Sequence, residues 1–210
     1  MRGAKGKTKS GRRPPVKVKT ASELPILPIA VGGILVLVAI ALIVFNVINS
    51  RGNNTGQPQV AGIPCDQLAT AQVHYHTALQ ILYQGTPVSI PSDVGRPSGC
   101  LYWLHVHAES PGVIHIESPA NRKFTLGDFF AIWKASKGTP EPLDSTHVSS
   151  FTLTPDQKLV VYVDHADGKG PQLYTGDPKA IVLTAHEVIT LEITPPTVNP
   201  PPTFTFQSGL

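Results

Sequence analysis

At 210 residues the chain has room for one ordinary domain beside an anchor and tails. Its formal charge of +3 sits at one end: residues 1–23 hold eight of the seventeen Lys and Arg against one acid, Glu23, leaving nine bases against thirteen acids in the rest. A mildly acidic remainder excludes nucleic acid as the partner of the globular part, because phosphate binding needs a basic face.

Residues 1–23 read as a basic cytoplasmic tail, and 24–50 as a transmembrane helix without a charged residue. Pro28 to Ile48 is 21 residues, or about 30 Å of helix, which matches the hydrocarbon thickness of a bilayer. Lys and Arg upstream place the N-terminus in the cytoplasm and everything after Ser50 outside it. A cleaved signal peptide has an apolar core of only about 7–15 residues and a small-x-small site. Here the core is longer and Asn49-Ser50-Arg51-Gly52-Asn53 follows, which favours a retained single-pass anchor in the cell membrane. The two cysteines, Cys65 and Cys100, then lie in an oxidising compartment, where an even count predicts a disulfide. Cysteine as a metal ligand is the competing reading, without a CxxC spacing to favour it.

Residues 51–64 are rich in Gly, Asn and Gln and read as a flexible stalk, with the extracytoplasmic domain spanning 65–194. The stretch Cys65 to Ala71 is either irregular or a short helix. Val73 to Tyr83 alternates as a strand, with His74 and His76 on one side, and Pro87 to Ile90 reads as its returning hairpin arm. Leu101 to Glu109 alternates again, and Ser110-Pro111-Gly112 turns the chain into Val113–Glu117. Phe124 to Lys134 instead has Leu126, Phe129, Phe130 and Trp133 at helical spacing, with Thr125 and Asp128 as a capping box. Further strands are expected over Ser149–Thr154, Lys158–Asp164 and Ile181–Ile193, the last split near Ala185-His186. Pro195-Pro196 and Pro200-Pro201-Pro202 leave 195–210 as a Pro-rich extended tail. The expected fold is mainly β: a compact antiparallel β-sandwich or barrel with one short amphipathic helix, preceded by the N-terminal transmembrane helix.

All eight histidines follow residue 50, and five fall between positions 74 and 115. His74 and His76 are two apart on one strand, as are His105 and His107 on another, so each pair shares a face. A turn centred near Ser110-Pro111 sets His107 opposite His115 and His105 opposite Glu117, with Cβ atoms about 4.5–5.5 Å apart, close enough to share a metal. His74 and His76 join only if the first strand pairs beside this hairpin. A lone HxH is more often a solvent-facing or hydrogen-bonded pair; two of them plus HxE favour a site. The expected ligands are His74, His76, His105, His107, His115 and Glu117. Glu109 is open as ligand or base, and His186 reads as a strand-edge structural residue. Imidazole with a carboxylate suits copper or zinc among the transition metals, and the lack of any Met beyond Met1 removes a thioether copper(I) site. No GxSxG, nucleotide-binding glycine loop or HExxH occurs.

The run CLYWLHVHAESPGVIHIESP followed by FTLGDFFAIWK resembles an uncharacterised family of exported, membrane-anchored prokaryotic domains. Their pattern is H-x-H-x-H, then C-x-Y/W-L-H-x-H with G-x-I-H-x-E-x-P, and a Pro-rich F-T-F-x-x-G-L ending. This chain departs from it at Ala78, where a third histidine stands, at Ala108, where an aspartate stands, and in a hairpin turn one residue longer. The resemblance implies a site and names no activity. The leading expectation is a membrane-anchored extracytoplasmic domain that binds copper or zinc for sensing, sequestration or delivery. A redox metalloenzyme with an open metal position and a metal-free adhesion or assembly module are the alternatives; whether the chain is an enzyme is left open, with non-enzymatic metal binding favoured.

Overall fold

The computed structural model describes residues 11, 36–45, 58–66, 71–137 and 142–210. It divides into two units, Met1–Val47 and Ile48–Leu210. In the first, residues 36–45 form helix α1 with exposed side chains. Among the described residues no helix is long and apolar enough to cross a membrane; the rest of the 24–50 span and the 1–23 tail, Gly11 apart, lie outside them.

The second unit is mainly β. Its strands are β1 (Cys65–Asp66), β2 (Val73–Tyr83), β3 (Thr86–Val88), β4 (Leu101–Tyr102), β5 (Leu104–Val106) and β6 (Val113–Ser118), then, after helix α2 (Leu126–Lys137), β7 (His147–Val148), β8 (Phe151–Thr152), β9 (Lys158–Asp164), β10 (Gln172–Tyr174) and β11 (Val188–Thr194). A seven-stranded sheet runs β10-β9-β11-β2-β6-β5 with β3 against β2, and β1-β4 and β7-β8 are separate ribbons. The strand at Val73–Tyr83 takes the bounds its alternation predicts. The run Ile181–Ile193 is a strand only in its second half, β11: His186 at the expected break adopts φ 59°, and before it only Val182 makes a bridge, to Thr125. One pairing departs from the antiparallel expectation, because β11 lies antiparallel to β9 yet parallel to β2, with Val188 beside Ala78. Such a pairing joins strands more than a hundred residues apart, and local patterning carries no signal for it.

The alternation sorts the sheet into two faces. Leu79, Ile81, Leu104, Val106, Ile114, Ile116, Ile189, Leu191 and Ile193 enter one core with Leu126, Phe129, Phe130, Ile132 and Trp133 of α2. The helix begins with the reciprocal capping box its sequence predicts: the Thr125 amide donates to Asp128 Oδ2 at 2.9 Å, and the Asp128 amide to Thr125 Oγ1 at 3.2 Å. Ile181–Leu183 run along the helix start, where Leu126 N donates to the Ile181 carbonyl and Leu183 N to that of Phe124.

The opposite face is polar and carries His74, His76 and Gln80 of β2, His115 and Glu117 of β6, His105 of β5, and Thr190 and Glu192 of β11. Part of the Pro-rich tail covers it: Val198 N donates to Glu192 Oε2 at 3.3 Å, and Pro202 and Phe204 pack beside Val188 and Thr190. Of the stretch read as a stalk, residues 58–64 pack on the domain, with Ile63 fully buried and Tyr102 Oη donating to the Pro58 carbonyl at 2.7 Å.

Cys65 and Cys100 form a disulfide across a sequence separation of 35. They are therefore withdrawn as metal ligands. Closing a loop of that length restricts the unfolded chain by about 3–4 kcal/mol, so Cys65→Ala/Cys100→Ala should lower unfolding free energy by about 3 kcal/mol in urea titration. An unchanged midpoint would contradict this.

Candidate metal centre

The sheet order places β6 between β2 and β5, so that His76 pairs with His115 and His115 with His105. Three imidazoles thus stand in one row across three strands, with side chains on the face away from the core. His74 lies beside Glu117 one step along the same strands. The sequence expectation of His107 opposite His115 and His105 opposite Glu117 is corrected by two positions. The turn centres on Ser110 alone, where Ser110 N bonds the His107 carbonyl and Val113 N bonds the Ser110 carbonyl. A shift of two residues keeps every side chain on its face, so the cluster survives it. His107 leaves the strand, yet its Nε2 still comes within 3.0 Å of His105 Nε2.

The ligand nitrogens gather in two groups, His74 with His76 and His115, and His105 with His107 and His115; within each they lie within 4.8 Å of one another. Ring centroids are 4.5 Å apart for His76–His115, 4.4 Å for His107–His115 and 4.8 Å for both HxH pairs. Glu117 belongs to neither group but stands 3.4 Å from His74 Nε2. Glu109, 82 % exposed, is 4.0 Å from His107 Nδ1 at the rim.

His105 is fully buried, and its Nδ1–H donates to the Tyr102 carbonyl at 3.0 Å, which leaves the Nε2 lone pair facing His107. A backbone acceptor on one nitrogen that aims the other is the arrangement metal-ligating histidines use. Ser110 Oγ plays the corresponding part at His115 Nε2, 2.9 Å away. Burial, joined at His115 by the neighbouring imidazoles, lowers the pKa of His105 and of His115 from 6.5 to about 3. For His105 the bond to Tyr102 works against the shift. Burial also lowers His76 and His107, with His74 and His186 adding to the effect at the first and Arg96 at the second. These four rings are neutral at neutral pH and hold lone pairs in place of protons, as metal coordination requires. His76 Nε2 is buried without a hydrogen-bond partner.

Other parts of the site have no signature in the sequence pattern. Residues 93–95 cover the open side of the short strand β5, since Tyr102 N donates to the Gly95 carbonyl and Val106 N to that of Val94. Gly95 has φ +76°, and a Cβ there would overlap the Leu104 carbonyl and the His105 backbone. His186 lies outside both groups: its amide bonds the His76 carbonyl at 2.7 Å, and its Nε2 donates to the Leu210 carbonyl at 3.0 Å. His165 Nδ1 pairs with buried Glu187 at 2.7 Å, and His147 bonds Asp144; neither joins the cluster.

Comparison with family models, with curated proteins and with solved structures gives no match.

Two predictions follow from this geometry. Histidines whose pKa is depressed in the folded state bind protons first when unfolded, so their contribution is complete above pH 6.5 and is lost as pH falls from 6.5 toward 3. The chelator-treated chain should therefore melt at a lower temperature at pH 5 than at pH 7.5, and equal Tm values would contradict burial of neutral rings. Gly95→Ala should cost about 1–3 kcal/mol through positive-φ strain and the displaced β5 backbone, measured by urea unfolding; a cost near zero would mean that this loop does not brace His105.

Proposed function

We propose that the chain is a single-pass membrane protein whose extracytoplasmic β domain binds a transition metal ion through the histidine cluster, for sensing, sequestration or delivery. The observation that carries the reading is the buried His76 Nε2 without a partner, set among rings that burial keeps unprotonated. A buried acceptor left unpaired costs about 1–3 kcal/mol, and coordination offsets that cost directly. Imidazole donors with nearby carboxylates and no thiolate or thioether favour copper(II) or zinc(II). The 24–50 apolar run behind a basic tail supports the anchor. Each histidine group supplies three donors, which leaves a coordination position open, so a redox metalloenzyme is the second reading.

The test is elemental analysis of the full chain, purified in detergent, stripped with chelator, reloaded with copper(II) or zinc(II) and dialysed. Roughly one ion per chain is expected to remain. His115→Ala, which removes the ring common to both groups, should retain less than about a tenth of that. Wild-type chain that keeps neither metal would reject the proposal.

A further inference from the structure

Five imidazoles exceed what one tetrahedral ion takes, and they do not form a single set. His74 and His76 share a group with His115, and His105 and His107 share another with the same His115. The two groups differ in access. At one end the His74 side chain is 54 % exposed and has Glu117 beside it; at the other, His105 is fully buried behind residues 93–95. The ring between them has one nitrogen engaged by Ser110, so a single nitrogen is left to coordinate. It can serve one group at a time.

Resting on the metal-binding reading above, we propose that the cluster is a pair of overlapping cation seats that pivot on His115: an outer seat of His74, His76 and His115, where a copper(II) or zinc(II) ion enters, and an inner seat of His105, His107 and His115, to which it passes by ligand exchange. The ion keeps its bond to His115 while the nitrogens of β2 are replaced by those of β5 and the loop after it. No bond to the protein backbone changes, and no electron is transferred. His76 Nε2, buried and unpartnered, supplies the outer seat with a donor that no protein group satisfies. Neighbouring strands lie about 4.8 Å apart, and even at the dielectric of bulk water two dications at roughly that distance repel strongly enough to weaken the second by at least about a hundredfold. Repulsion and the shared ligand both favour a single resident ion that moves.

Copper(II) binding to the full chain in detergent micelles, followed by calorimetry and stopped-flow absorbance, tests this. Wild type should take up one tight equivalent, with any second at least about a hundredfold weaker. His74→Ala, at an exposed position, should keep the tight equivalent but load it at least about ten times more slowly. His107→Ala, at a half-buried position, should still bind one equivalent and yield it to chelator at least about ten times faster, because the ion is confined to the outer seat. Circular dichroism confirms that each variant is folded. Two equal tight equivalents in the wild type would overturn the shared pivot. Unchanged loading in His74→Ala, or complete loss of copper in His107→Ala, would show a single seat while leaving the metal-binding reading intact. A wild-type chain that binds neither copper(II) nor zinc(II) removes both.

Discussion

The arrangement depends on the register that joins β2, β6 and β5. Because His76, His115 and His105 are cross-strand partners, their rings rise from the sheet side by side. Each flanking strand adds one more histidine two residues away, His74 on β2 and His107 just past β5. The apolar residues between them, Thr77 apart, fix which face is which: Ile114, Ile116, Leu104 and Val106 are sealed against α2, and a slip of a single residue would drive imidazoles into that core. Hydrophobic burial, not any contact among the histidines, is what holds them in array.

The polar face is buried without being highly charged. His76, His105, His107 and His115 have depressed pKa values, while desolvation raises those of Glu187 and Glu192. Both shifts favour the uncharged form of each group, as burial in a low-dielectric setting requires. The tail contributes by laying Pro202 and Phe204 over the β11 end of this face, whereas the histidine end keeps exposed His74 and the carboxylates Glu109 and Glu117 at its rim. The buried imidazoles thus meet the carboxylates at one accessible margin, in groups that could hold a metal ion.

Much of this was legible in the residues. The period-two run at Val73–Tyr83, the Thr125–Asp128 cap and the cysteine pair each report on local or pairwise constraints, and each takes its expected form. The shared face of each HxH follows from the pleat alone. What the pattern misses is set by contacts distant in sequence or by a single turn. Strand β10 is three residues behind Pro171 and offers no alternation to read. The hairpin register moved by two because Ser110, and not Pro111 as the expected pairs imply, is the centre of the turn. Ser110, Tyr102 and Gly95 act on the histidines through a hydroxyl, a carbonyl and a positive φ, none of which leaves a mark in residue spacing.

The parallel seam between β2 and β11 also bears on how the domain is made. The strands β2, β5 and β6 all lie between Val73 and Ser118, so the imidazole row is complete in the chain before the C-terminal strands are made. Closing the sheet on its other side waits for Val188–Thr194 to meet Ala78–Tyr83, a loop closure of about a hundred residues, the kind of step that limits folding rate. Until synthesis passes Thr194, β2 is a naked edge with its amides and carbonyls unpaired on one side, the condition that invites strand-to-strand aggregation. The nascent chain therefore exposes an adhesive border for most of its elongation, and the last strand to be made is the one that seals it.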